Sequence, residues 1–219
     1  MKHYGFRYLL VLIVFSFMFG CASTIPMTAK MSDTVMMGIK NNSSTSSAFE
    51  YQSNITDGII KPCGKDNREP QSGHLGYSHA ENATFENMLK DYIGMKFVAI
   101  DNSSDTKLKV MIRDFWIEQY SPNSAGSQFL AVMFGGEINM VVVANLDVVY
   151  ILTDNGKTVS KNIKVSSDST HVSGIGTGTS TSRIHRGSDS IEYRVAEAIN
   201  GVNSKAIIML NQFLESNKL

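Results

Sequence analysis

The chain is poor in cysteine, in proline and in any surplus of charge: among its 219 residues are two Cys, four Pro and a single Trp, and 20 Lys and Arg balance 20 Asp and Glu. The charge balance removes the electrostatic footprint that nucleic-acid binding requires. Two cysteines, Cys21 and Cys63, exclude a disulfide framework of the kind that staples small secreted domains. Long apolar runs are missing as well. The clearest, Leu9 to Phe19, is interrupted by Ser16 and falls short of the about 20 apolar residues that cross a bilayer. Neither an internal repeat nor a Gly-x-Ser-x-Gly nucleophile elbow occurs, and His171 and His185 have no triad context.

What is present begins at the N-terminus. Lys2, His3 and Arg7 precede the apolar run, which gives the two-part layout of a secretory signal. The run ends in Met18-Phe19-Gly20-Cys21, and this stretch resembles the lipobox of bacterial lipoproteins. The resemblance implies cleavage between Gly20 and Cys21 and acylation of the Cys21 thiol. Met18 stands where leucine is commoner, and Phe19 is bulkier than usual. An uncleaved anchor, or an ordinary signal cut nearby, would instead leave Cys21 a spare thiol. Ala22 follows the cysteine, and the lack of Asp there resembles lipoproteins sorted to the outer membrane. The implied location is the bacterial envelope, lipid-anchored and facing the periplasm.

Cleavage would leave 18 basic against 20 acidic side chains, a net charge of −2 with neutral histidines. The organisation expected is a signal over 1–20, a lipidated N-terminus and flexible tether over 21–30, and one domain over 31–219. Cys63 is then the lone thiol, expected to be buried or in a quiet loop.

Strands are expected over 31–39, 48–55, 96–101 and 107–120, the last with a bulge where the alternation slips at Arg113 and Asp114. Phe85, Met88, Leu89, Tyr92 and Ile93 fall on one face of a helix, with Ser78 and Glu81 as a capping box and Gly94 as its stop. The strongest β signal is 138–153 joined to 157–165 through Asp154-Asn155-Gly156, a type I′ hairpin turn by composition. Residues 58–76 and 166–187 read as irregular connections. A second helix is expected over 190–215, with Asp189 and Glu192 as a capping pair and a stripe from Val195 to Phe213. The fold expected is α+β, an antiparallel sheet of about five or six strands with two amphipathic helices on one face.

One face of the hairpin's first strand is apolar throughout. The other is half apolar, and its Val141, Val143, Val149 and Ile151 form a candidate partner face. The histidines at 74 and 79, with Cys63, lack metal-ligand spacing and read as solvated loop residues. The glycines from 174 to 178 lack the following helix of a phosphate loop. Arg183, His185, Arg186 and Arg194 read as a solvated helix entrance rather than an anion site. No cofactor or metal is expected.

The order of lipobox, short strands, helix, Leu108-x-Val110-x-Ile112 strand, long hairpin and terminal helix resembles the YajG-type small lipoproteins over residues 78–215. That resemblance implies a non-enzymatic accessory that binds an envelope protein, a lipid or a glycan. The alternatives are a structural subunit of a secretion or appendage assembly and, last, an envelope hydrolase.

Overall fold

The structure, a computed structural model, describes residues 23–24, 45–70, 76–124, 127–128, 137–174 and 191–218. Its centre is the hairpin of β8 (Glu137–Asp154) and β9 (Lys157–Gly174), in register along its whole length. Asn155 and Gly156 turn it with φ of 47° and 77°, the positive values that a type I′ turn requires. β7 (Lys107–Tyr120) pairs antiparallel with β8, and its register shifts between Ile112 and Asp114. Arg113 is therefore the extra residue of a bulge, at the place where the alternation slips.

The sheet is mixed rather than purely antiparallel. β2 (Ala48–Ser53) and β4 (Cys63–Gly64) both run parallel to β7, while β5 (Asn67–Pro70) pairs antiparallel with β4. A second, smaller sheet joins β1 (Ser23–Thr24), β6 (Tyr77–His79) and β3 (Gly58–Ile60) in the order β1-β6-β3. Residues 58–76 thus contain three short strands where an irregular connection was expected. Ser23–Thr24, within the segment expected as a tether, is paired to the domain.

Helices α1 (Glu81–Lys96) and α2 (Ile191–Ser216) share one core with the sheet. Phe85, Met88, Leu89, Tyr92 and Ile93 are all fully buried, so the predicted face is the packed one. From the sheet, Leu108, Val110 and Ile112 meet Leu152, Tyr150 and Val148 across the β7/β8 pair, again fully buried or nearly so. Tyr150 donates its hydroxyl to the Ala206 carbonyl at 2.6 Å, fixing α2 over β8. The α+β class with both helices on one core stands.

Four local expectations are corrected. Ser78 lies in β6, and Ala80 occupies the N-cap without a side-chain bond. Asp57 caps the helix from outside, accepting from the Asn82 and Ala83 amides at 2.7 and 3.3 Å. Gly94 does not end α1, which runs to Lys96 because Phe97, buried at 4 %, is where the chain turns into the core. Residues 96–101 form no strand, since Val98 and Ile100 are 72 % and 55 % exposed and a single bridge, Ser47 to Ile100, forms. Finally, 166–174 continue β9. Their Ser and Thr residues suggested a loop, but β8 supplies a full ladder of partners, and pairing overrides weak propensity.

The expected strand at 31–39, residues 175–187 and the cap at Asp189 lie outside the described residues, as do Gly20 and Cys21.

Candidate interaction surface

Strand alternation divides the main sheet into an inner face, under α1 and α2, and an outer face on which neither described helix sits. Register fixes the outer face row by row across β7, β8 and β9: Lys109, Ile151 and Ser160, then Met111, Val149 and Asn162, then Asp114, Asp147 and Lys164. Beyond the bulge follow Trp116, Asn145 and Ser166, then Glu118, Val143 and Asp168, then Tyr120, Val141 and Thr170. All four candidate residues therefore fall on this face. Val141, Val143 and Ile151 are half-buried, and Val149 is buried between its cross-strand neighbours.

Sequence reasoning missed the polar half of this face. Asp114 and Asp147 stand directly opposite each other, a like-charge pairing that destabilises a sheet unless compensated. Two basic side chains supply the compensation. Arg68 of β5 bonds Asp114, and Lys164 of β9 lies 3.7 Å from Asp147. Arg68 also lies 3.8 Å over the Trp116 ring, a cation–π stack. The Trp116 indole N–H donates to Glu118 Oε1 at 3.0 Å, and the Asn145 amide donates to the same oxygen at 3.4 Å. Lys65 lies 5.5 Å over Tyr120. Asp147 Oδ1 is buried and has no hydrogen-bond partner among the described residues.

These side chains are held in place, because each has its orientation set by a neighbour. The signal for the aromatic cluster was present as alternation in Trp116-Glu118-Tyr120. Its link to Arg68 came only with the pairing of β4 and β5 beside β7.

Cys63 is buried as expected and donates its thiol to the Ile117 carbonyl at 3.3 Å. Burial, with the Glu118 charge, pushes this thiol up and keeps it protonated and inert.

His79 overturns its assignment as a solvated loop residue: it is 5 % exposed, and its Nε2 lies 2.6 Å from Glu81 Oε2. Burial holds the Glu81 carboxyl above the ordinary carboxylate range, against the opposing His79 hydrogen bond and charge. The Asn203 amide lies beside this carboxylate without an aligned bond; Glu81 Oε1 and both Asn203 amide atoms lack partners among the described residues. Nearby, Tyr77 donates to Gln119 at 2.9 Å, and its hydroxyl is pushed up to about 12, first by burial and then by Glu192. Arg194, of the expected basic entrance, is engaged with Glu197 at 2.9 Å; His74, Arg183, His185 and Arg186 lie outside the described residues. Among the described residues no group of three or more His, Cys, Asp or Glu is placed to hold a metal. A depression of about 570 Å³ beside the hairpin turn is lined by hydroxyls and by Asp105 and Asp154, and it is open and shallow.

No protein-family model and no curated protein matches the chain. Solved structures similar to it include a Xanthomonas campestris protein of family DUF330, with TM-score 0.42 and 13 % identity, covering 90 % of this chain and 97 % of that one. The minor lipoprotein of Acinetobacter baumannii gives 0.38 and 7 %, covering 81 % and 95 %. Rare lipoprotein B of Shewanella oneidensis gives 0.37 and 12 %, covering 78 % and 97 %. At TM-scores below 0.5 these likenesses establish neither a family nor a shared role.

Proposed function

We propose that the protein is an envelope lipoprotein, held by acyl chains on Cys21, that binds another envelope protein through the outer face of its main sheet. The observation that carries this reading is the pre-ordered cluster of Arg68, Trp116, Asp114 and Glu118 beside the half-buried Val141 and Val143. Trp, Tyr and Arg dominate the energetics of protein interfaces, and side chains already fixed in place lose little entropy on binding. The anchor is supported by the lipobox-like Met18 to Cys21 stretch. Two or more acyl chains hold stably where one is marginal.

The test has two arms. Cys21→Ser is expected to move the protein from the membrane to the soluble fraction; a variant that stays in the membrane fraction with unchanged mass contradicts the anchor. The double variant Val141→Ser, Val143→Ser, checked for folding, is expected to lose partners recovered after crosslinking in intact cells. Unchanged recovery contradicts the use of this face.

A further inference from the structure

The lipid attachment and the fold are closer together than a tether would put them. Cys21 precedes Ser23 by two residues, and two residues reach at most about 7 Å. Ser23 and Thr24 are already strand β1, in register with Tyr77 and Ser78 of β6. The neighbour of β6 on its other side is β3, where Ile59 pairs with Ser78 and is 61 % exposed.

The direction of this small sheet relative to the main one follows from two contacts. His79 lies beside Phe115, ring centroids 6.2 Å apart, whereas Tyr77 reaches Gln119. Moving from His79 back to Tyr77 therefore moves toward the Tyr120 end of β7. β1 runs parallel to β6, so moving from Thr24 back toward Cys21 heads the same way. The Asn155-Gly156 turn lies at the opposite end, because Lys107 pairs with Thr153. From Gln119 to Lys107 the strand extends about 40 Å.

We infer that the lipid anchor holds this domain upright against the bilayer without slack: the end carrying β1, β6 and β3 faces the headgroups, Ile59 touches them, and the Asn155-Gly156 turn points away. This rests on the acylation of Cys21 proposed above. An exposed isoleucine is consistent with an interfacial contact, since the apolar side chain enters the acyl boundary. It also places the outer sheet face beside the membrane plane rather than against it, open to a partner in the periplasm.

The test uses the full lipidated chain in phospholipid vesicles, with an environment-sensitive fluorophore on Ile59→Cys or on Val159→Cys. Val159 is 44 % exposed and sits three residues past Gly156 of the turn. Both are made in a Cys63→Ala background, and intact mass on the same preparation reports acylation of Cys21. With acylation present, headgroup nitroxide lipids are expected to quench the probe at 59 at least twofold and to leave the probe at 159 unchanged. Equal quenching at both positions, or none at 59, overturns the orientation while leaving the anchor standing. An unacylated chain overturns the anchor and the orientation with it. A Gly/Ser insertion of 12 residues between Ala22 and Ser23 adds slack of about 20 Å and is expected to abolish quenching at 59. Quenching that survives the insertion overturns the short-tether account.

Discussion

Glu81 is 2 % exposed and shares a 2.6 Å contact with His79, and this pair makes the stability of the fold depend on pH in a definite direction. A carboxyl raised above its unfolded value keeps its proton in the folded state where the unfolded chain has released it. Its contribution is full below the ordinary carboxylate range and is lost as pH rises through the raised folded value. Glu197 has the opposite sign: the Ser169 hydroxyl, then Arg194, hold it below the ordinary range, so its contribution is lost as pH falls. Comparing urea unfolding of the wild type and Glu81→Gln at pH 5 and pH 8 isolates the first group. The Gln variant, which cannot ionise, is expected to lose less stability over that interval; equal losses would remove Glu81 as a source. Gly201 makes a second residue-scale case. Glycine inside a helix ordinarily weakens it, but a Cβ at 201 would lie 3.0 Å from Ser167 Cβ and nearer still to its hydroxyl. For Gly201→Ala an overpacking cost of about 1–3 kcal/mol outweighs a propensity gain of about 1 kcal/mol. The midpoint of thermal unfolding should fall, and a double-mutant cycle with Ser167→Gly should show positive coupling.

At the scale of elements, what was legible depended on whether the determinant was local. The β8/β9 turn was read correctly because Asn155 and Gly156 carry its geometry themselves. The bulge in β7 was read because a slip in side-chain alternation is a local signal. The start of α1 was misread because its cap comes from Asp57, 25 residues before Asn82 in the chain, a separation that no spacing rule encodes. Asp57→Ala is therefore expected to destabilise the domain by about 1 kcal/mol, whereas Ser78→Ala, at a position that caps nothing, should leave the helix start intact. Chemical denaturation of the two variants compares them directly, and equal losses would contradict the assignment. The second half of β9 was missed for a related reason. Ser166 to Ser169 have little strand propensity of their own, and their order comes from the partner strand.

For the molecule as a whole, hydrophobic periodicity was enough to fix the class and the inner face, because core packing of amphipathic elements leaves few alternatives. The candidate partner face was half legible. Val141, Val143, Val149 and Ile151 share a face by simple alternation, but the Arg68–Trp116 stack exists only once β4 brings β5 to β7, and the opposed Asp114 and Asp147 only once β7 pairs with β8. The proposed molecule is an anchored domain whose helices fill one side of a sheet and leave the other to a partner. Its most direct test is photocrosslinking in intact cells from a probe at Asp168, exposed opposite Val143 on the outer face, against a probe at Lys90 on α1. The account predicts a discrete protein adduct from position 168 that Trp116→Ala weakens in a folded variant, and none from position 90. Adducts from position 90 alone, or none from 168, would contradict it.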